Sequence, residues 1–164
     1  MKNTPVRQTL VSAVHQYKED MYRLAFSYVK NQADALDVVQ SSIEKALKSV
    51  QRLQQIEAMK SWLLTIVVRT SLDILRKQTK VTVLEEEAFT SYGREDRYPD
   101  LDLIEAIDAL PIKYRSIIIL RFFEDFKIHE IAHMLEENEN TVKSRLYKAL
   151  KLLRVSLSEE DIGQ

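Results

Sequence analysis

Apolar residues recur at helical spacing through most of the chain, and the breaks between periodic stretches mark out its elements. The first stretch runs from about Tyr17 to Val29, with Met21, Leu24, Ala25 and Tyr28 three or four residues apart, and it stops at Asn31-Gln32. Asp34 is placed to cap the helix that follows. That helix carries Leu36, Val39, Ile43, Ala46, Leu47 and Val50 as its apolar stripe, with Asp37, Ser41, Glu44, Lys45 and Lys48 on the other face. After the polar stretch VQRLQQIEAM comes KSWLLTIVVRTSLDILRKQ, which is apolar nearly all round in its first half and should be the most buried. Three such helices can bury one common core within about the first 80 residues.

The periodicity then lapses. From Glu85 to Asp102 there are seven acidic residues against two basic ones, with Tyr92-Gly93 and Tyr98-Pro99 as turn dipeptides, the pattern of a linker. Helical spacing resumes with Leu103, Ile104, Ile107 and Leu110, and Pro111 stands at the favoured first position of a further helix. IKYRSIIILRFF is apolar enough to be a central helix. KIHEIAHMLE is short, with Ile128, Ile131, Ala132 and Leu135 on one face; Glu136-Glu137-Asn138 follows, then NTVKSRLYKALKLLR. The predicted fold is all-α: two small helical domains, residues 1–82 and 101–158, joined by a flexible acidic linker over 83–100 and followed by a polar tail, 159–164.

Composition narrows this further. Gly occurs twice and Pro three times, too few for the turns of a sheet-rich fold. With no Cys, disulfide scaffolds, thiolate zinc sites and cysteine nucleophiles are all excluded. Lys+Arg is 24 and Asp+Glu 25, a net charge of −1, so the whole chain is no polyelectrolyte. No apolar run approaches the roughly 20 residues of a membrane span, and the first residues lack a signal-peptide core. A soluble, cytoplasmic protein is the expectation.

Against this neutral background one segment stands out. Two short helices separated by about three residues are the architecture of a helix-turn-helix. Ala132 is small where the helices must approach, and Asn138 can cap the second one. At about 100° per residue, Val142, Leu146, Ala149, Leu150 and Leu153 share one arc of that helix. Asn140, Thr141, Ser144, Tyr147, Lys148 and Lys151 fall opposite, flanked by Lys143 and Arg145. Five basic residues and no acidic one lie between Thr141 and Arg154. Amide and hydroxyl side chains near a helix start can reach base edges in the major groove, while Lys and Arg behind them neutralise phosphates.

HEIAHMLEENENTVKSRLYKALKLLR resembles the C-terminal DNA-binding region of the extracytoplasmic-function sigma factors, members of the sigma-70 family. YRLAFSYVKNQADALDVVQSSIEKAL and KSWLLTIVVRTSLDILRKQ are similar to that family's N-terminal region, and the matches occur in the family's order. The resemblance implies a dissociable subunit that binds core RNA polymerase and directs promoter-specific initiation, of a stress regulon. It implies that DALDVVQSSIEKA docks on the β′ coiled coil through Asp37, Gln40, Ser41 and Glu44, and that the C-terminal domain meets the β flap. It places recognition and melting of the −10 element on Lys60, Trp62, Arg69, Arg76 and Lys77, chemistry that needs cations along a single strand and surfaces for unstacked bases. The −35 element falls to Asn140, Thr141, Lys143, Ser144, Arg145, Tyr147 and Lys148. Promoter DNA and an anti-sigma factor, membrane-bound in many members, are the further implied partners; no cofactor, metal or catalysis is implied. Ser41 stands where many members have an acidic residue and Arg69 where the family often has Asn; in the C-terminal domain Glu136 and Asn140 stand where it usually has glycine. Glu136 must therefore take up a turn conformation that glycine adopts more easily, at a cost of order 1 kcal/mol.

Two other classes compete. A one-component helix-turn-helix regulator would need a sensor or dimer interface, and residues 1–80 offer no such pattern. His129-Glu130-Ile131-Ala132-His133 formally matches the H-E-x-x-H signature of zinc proteases. A catalytic zinc needs a third protein ligand, however, and the only candidates are His15 or the tail carboxylates Glu159, Glu160 and Asp161.

Overall fold

The computed structural model describes residues 5–82 and 99–162, and the side chains of 5–78 and 102–157. Nearly all of the expected linker, residues 83–98, lies outside the described residues. The chain divides into two compact units, Met1–Glu86 and Glu87–Gln164. Among the described residues every regular element is helical, so the all-α class holds.

In the first unit α1 (Pro5–Val29), α2 (Gln32–Ser49) and α3 (Met59–Thr82) pack pairwise around one core. Leu10, Met21, Leu24, Tyr28, Val38, Leu63 and Leu64 are fully buried in it. The first helix starts twelve residues earlier than the Tyr17 start read from the pattern, because Leu10 and Ala13 continue the buried stripe backwards. α2 is capped by Asn31, not Asp34. Asn31 sits in extended backbone and its side-chain Oδ1 accepts from the Asp34 amide at 2.8 Å, while Lys30 turns the chain with φ 65°. The stripe of α2 is correspondingly rotated. Ala35, Val38, Val39, Ser42 and Ala46 face the core, and Leu36, expected inside, is 51 % exposed. Two 3-10 turns, Val50–Arg52 and Ile56–Ala58, occupy the polar stretch before α3.

Asp34 instead ties α2 to the far end of α3: its carboxylate accepts from Asn31 Nδ2 at 2.8 Å and Gln78 Nε2 at 2.9 Å. These bonds, Asn31's first, hold its pKa below the ordinary 3.8. A depressed carboxylate pKa contributes stability above the unfolded value of 3.8, and that contribution is lost as the pH falls through the folded value. Asp34→Ala is therefore expected to destabilise the protein slightly near pH 7, by less than about 1 kcal/mol for so solvent-accessible a group, with a correspondingly small fall in Tm. In thermal melts the difference between variant and parent should shrink as the pH is lowered below 3.8.

The second unit contains α4 (Pro99–Asp108), α5 (Ile112–Ile118), α6 (Ile128–Leu135) and α7 (Glu139–Ile162). Pro111 is the cap of α5 and not its first residue; its carbonyl accepts from Tyr114 and Arg115. The core joins Ala106, Ile107, Leu110, Tyr114, Ile118, Ala149 and Leu153, with Leu146, Leu150 and Leu157 packed at its margin. The stretch expected as one central helix widens after Ile118 into a π-turn, Ile119–Phe123. The Glu124 amide bonds back to Ile119 and that of Phe126 to Leu120. The widened register swings Phe122 and Phe123 outward, 57 and 59 % exposed, while Phe126 stays buried. α7 runs on to Ile162, into the segment read as polar tail.

Candidate nucleic-acid interface

α6, its turn and α7 are shaped by local bonds that can be traced residue by residue. Glu130 turns back to the start of α6, its Oε1 accepting from the Lys127 amide at 3.0 Å. At the other end Glu136 adopts the left-handed conformation, φ 56° and ψ 43°. The Glu137 amide reaches Ala132 O at 2.9 Å and the Glu136 amide reaches His133 O at 3.3 Å, which closes the helix in a Schellman motif. Asn138 then caps α7, its Oδ1 accepting from the Thr141 amide at 2.7 Å. The strained turn expected at Glu136 is thus present. Glu136→Gly should relieve it and stabilise the protein by up to about 1 kcal/mol, less whatever backbone freedom glycine adds to the unfolded chain. Thermal denaturation of the two proteins measures this directly.

α7 has two faces. Val142, Ala149 and Leu153 are buried against the core, while Asn140, Lys143, Ser144, Tyr147, Lys148 and Lys151 are exposed, Tyr147 by 72 %. Thr141 and Arg145 are half-buried at the edge of this surface, and Arg145 Nη1 pairs with Glu137 at 3.3 Å. An open recess of about 490 Å³ runs along that edge, bounded by Asn138, Thr141, Ser144, Lys148 and, from α5, Tyr114. Sequence reasoning missed Tyr114, because it stands in an apolar run and its ring does belong to the core. The signal available was its neighbour Lys113, a cation beside it in the first turn of the helix. Lys113 Nζ lies 5.0 Å from the Tyr114 ring centroid and Lys148 Nζ 5.7 Å. A hydrogen bond with Lys148, above all, draws the Tyr114 phenol below its ordinary pKa.

In the first unit Asp37, Gln40 and Glu44 are exposed and Ser41 half-buried, on one arc of α2 that Leu36 borders. On α3 Trp62, Arg69 and Arg76 follow at intervals of seven, close to two turns, and so lie along one flank. Trp62 and Arg69 are half-buried; Arg76 is exposed beside Asp73 at 3.6 Å, with Lys77 exposed next to it. Lys60 is separated from this group. Its helical phase places it on the opposite side of α3, where Nζ stands 5.3 Å from the ring of Tyr17 on α1.

The H-E-x-x-H segment is built differently from a zinc site. His129 and His133 are exposed on α6, and the Glu130 carboxylate is engaged in capping. Among the described residues no group of three or more potential ligands converges; the side chains of Glu159, Glu160 and Asp161 lie outside them.

A helical protein whose capped helix-turn-helix turns a basic, hydroxyl- and amide-bearing face outward is a DNA-binding transcription protein. Comparison narrows the class. The Sigma-70 region 2 family matches residues 13–81 and the Sigma-70, region 4 family matches residues 100–153. The chain is similar to RNA polymerase sigma factor SigV of Bacillus subtilis, 55 % identical over 164 residues, 99 % of this chain and 99 % of that protein. It is also similar to ECF RNA polymerase sigma factor SigX of the same organism, 28 % identical over 151 residues, 84 % of this chain and 78 % of that one. Its fold is like that of the sigma factor RpoE from Bartonella quintana, solved in complex with the anti-sigma factor NepR. That likeness has a TM-score of 0.72 at 21 % identity, over 90 % of this chain and 95 % of that one. The chain belongs to the extracytoplasmic-function sigma factors of the sigma-70 family, alternative sigma factors that direct transcription. Among the described residues no helix is long and apolar enough to cross a membrane.

Proposed function

We propose that the two units divide the work of promoter recognition, the first binding core RNA polymerase and melting the −10 element, the second reading the −35 element. The observation that carries this is the outward face of α7, where Asn140, Lys143, Ser144, Tyr147 and Lys148 are exposed together behind a cap that fixes the helix start. Thr141 and Arg145 border that face, and Arg145 also braces the turn through Glu137. Asp37, Gln40, Ser41 and Glu44 form the polar arc that meets the β′ coiled coil, and the second unit meets the β flap. Trp62, Arg69, Arg76 and Lys77 line the flank of α3 along which a melted strand lies; Lys60, on the opposite side of the helix beside Tyr17, is not part of that flank. The chain itself performs no catalysis and needs no metal or cofactor. It acts on a stress regulon in the cytoplasm, held inactive by an anti-sigma factor that is membrane-bound. The structurally similar RpoE was solved in complex with an anti-sigma factor, NepR. The test is reconstitution: the chain is mixed with core polymerase, the complex isolated, and run-off transcription measured on promoter DNA. Co-elution with start-site-specific transcripts is expected. A chain that binds promoter duplex alone and leaves core polymerase unchanged would instead be a one-component regulator.

A further inference from the structure

α5 is not part of the helix-turn-helix, yet its first turn abuts the flank of α7 that carries the reading face. Tyr114 is the point of contact. Its ring is 6 % exposed and is held in the core by Ala106, Ile107, Leu110, Ile118, Ala149 and Leu153, so its position is set by packing. Two ammonium groups from different helices stand over that one ring, Lys113 Nζ at 5.0 Å and Lys148 Nζ at 5.7 Å. A single cation on an aromatic face is an ordinary contact. Two like charges drawn to the same ring repel each other, and no carboxylate pairs with either among the described residues. The carboxylate of Glu137, at the start of the same turn, is taken by Arg145 at 3.3 Å. Nor does any carboxylate line the recess beside Tyr114 and Lys148, whose rim also holds Asn138, Asn140, Thr141, Ser144 and Arg145. With Arg145 already paired to Glu137, the place offers two ammoniums, a phenol hydroxyl and two aliphatic hydroxyls, with no anion to match them.

We infer that Lys113, Tyr114 and Lys148 form a seat for one backbone phosphate of the DNA lying along α7, which extends the DNA-contacting surface onto α5. This rests on the reading of α7 as the DNA-binding helix. It changes the role of Lys148 from reader of a base edge to holder of the backbone. A phosphate oxygen gains two charge-assisted donors and the Tyr114 hydroxyl, and its charge relieves the repulsion between the two ammoniums. The buried ring acts as a fixed spacer between two long, flexible side chains, so less conformational freedom is lost when the phosphate arrives. The phenol, already made more acidic by Lys148, is the stronger donor for it. Such a contact sets the register of α7 in the groove and carries no sequence information.

The test uses the full chain assembled with core polymerase, on duplexes from a promoter library with varied −35 bases, across a salt series. Lys113→Ala should lower the slope of log affinity against log salt by about 1, the signature of one lost phosphate contact. Tyr114→Phe keeps the ring and the core but removes the hydroxyl; binding should weaken by about tenfold at every −35 sequence alike. Replacing the seated phosphate by an uncharged methylphosphonate should cost the parent affinity and cost the Lys113→Ala protein much less. Unchanged affinity and salt slope in both variants overturn the inference, as does an altered −35 preference, which would mean a base contact. A Ser144→Ala protein run alongside separates the two readings. If it shifts −35 preference while the α5 variants do nothing, α7 still reads DNA and only the seat is wrong. If none of the three has any effect, the face itself is not the reader.

Discussion

Polymerase carrying Ser144→Ala or Lys143→Ala is expected to transcribe a different set of −35 sequences from the parent, and not merely to transcribe less. Both side chains are exposed on the outward arc of α7 within two turns of its capped start, the part of a recognition helix that enters the major groove. Losing one base contact costs about 1–3 kcal/mol and relaxes discrimination at the base it read. Lys151 lies further along the helix, where the groove curves away, so Lys151→Ala should weaken binding evenly and reduce its salt dependence. Tm should hardly move in any of the three, because Val142, Ala149 and Leu153 remain packed. Transcription from a −35 library, paired with thermal melts, measures both quantities. An unchanged sequence preference in the Ser144 and Lys143 proteins would reduce this face to a solvated surface.

The second large effect is expected on α2. Asp37→Lys combined with Gln40→Ala should weaken association with core polymerase by about 2–3 kcal/mol, on the order of a hundredfold, since a reversed charge meets whatever cation Asp37 faces. The four polar residues of that arc lie away from the core, which α2 fills with Ala35, Val38, Val39, Ser42 and Ala46. The melting temperature of the free protein should stay within the small range of surface substitutions. Competition against the unmodified chain for a limiting amount of core polymerase gives the ratio of affinities. Equal competition by the double variant would place the docking surface elsewhere.

Leu36 shows how far pattern reasoning carried on this helix. A count of apolar positions puts it on the buried stripe, one step from Val39 and Ile43. The true stripe is turned because small Ala35 and Ser42 allow close approach to the neighbouring helices, a use of alanine and serine that hydrophobicity alone does not signal. The cap was misread for a related reason. Asn31 and Asp34 are both good capping residues, and only the backbone decides between them: Lys30 in the left-handed region leaves Asn31 extended, the conformation a cap requires. The early start of α1 was legible in Leu10 and Ala13, whose spacing continues that of Tyr17 and Met21, but the polar residues around them diluted it.

The sequence by itself determined the helical class, the lapse of periodicity from Glu85 to Asp102, the two-helix motif and the basic arc of its second helix. Each of these depends on spacing and residue type within a single segment. It also determined the turn between α6 and α7, since Asn138 can bond the Thr141 amide three residues on and a residue at Glu136 has to reverse the chain. What only the tertiary structure decided are relations between segments distant in sequence. The packing of α5 on α7 brings Lys113 and Tyr114 beside Lys148, thirty-five and thirty-four residues further along the chain. The packing of α1 on α3 sets the Lys60 ammonium over the ring of Tyr17, forty-three residues earlier in the chain. The π-turn after Ile118 exposes two phenylalanines that any 3.6-residue count would bury. Local propensity fixes which way a helix runs and which residues lie near one another on it; its rotation about its own axis, and hence the neighbours each side chain meets, is set by how the small and large residues of its partners interlock.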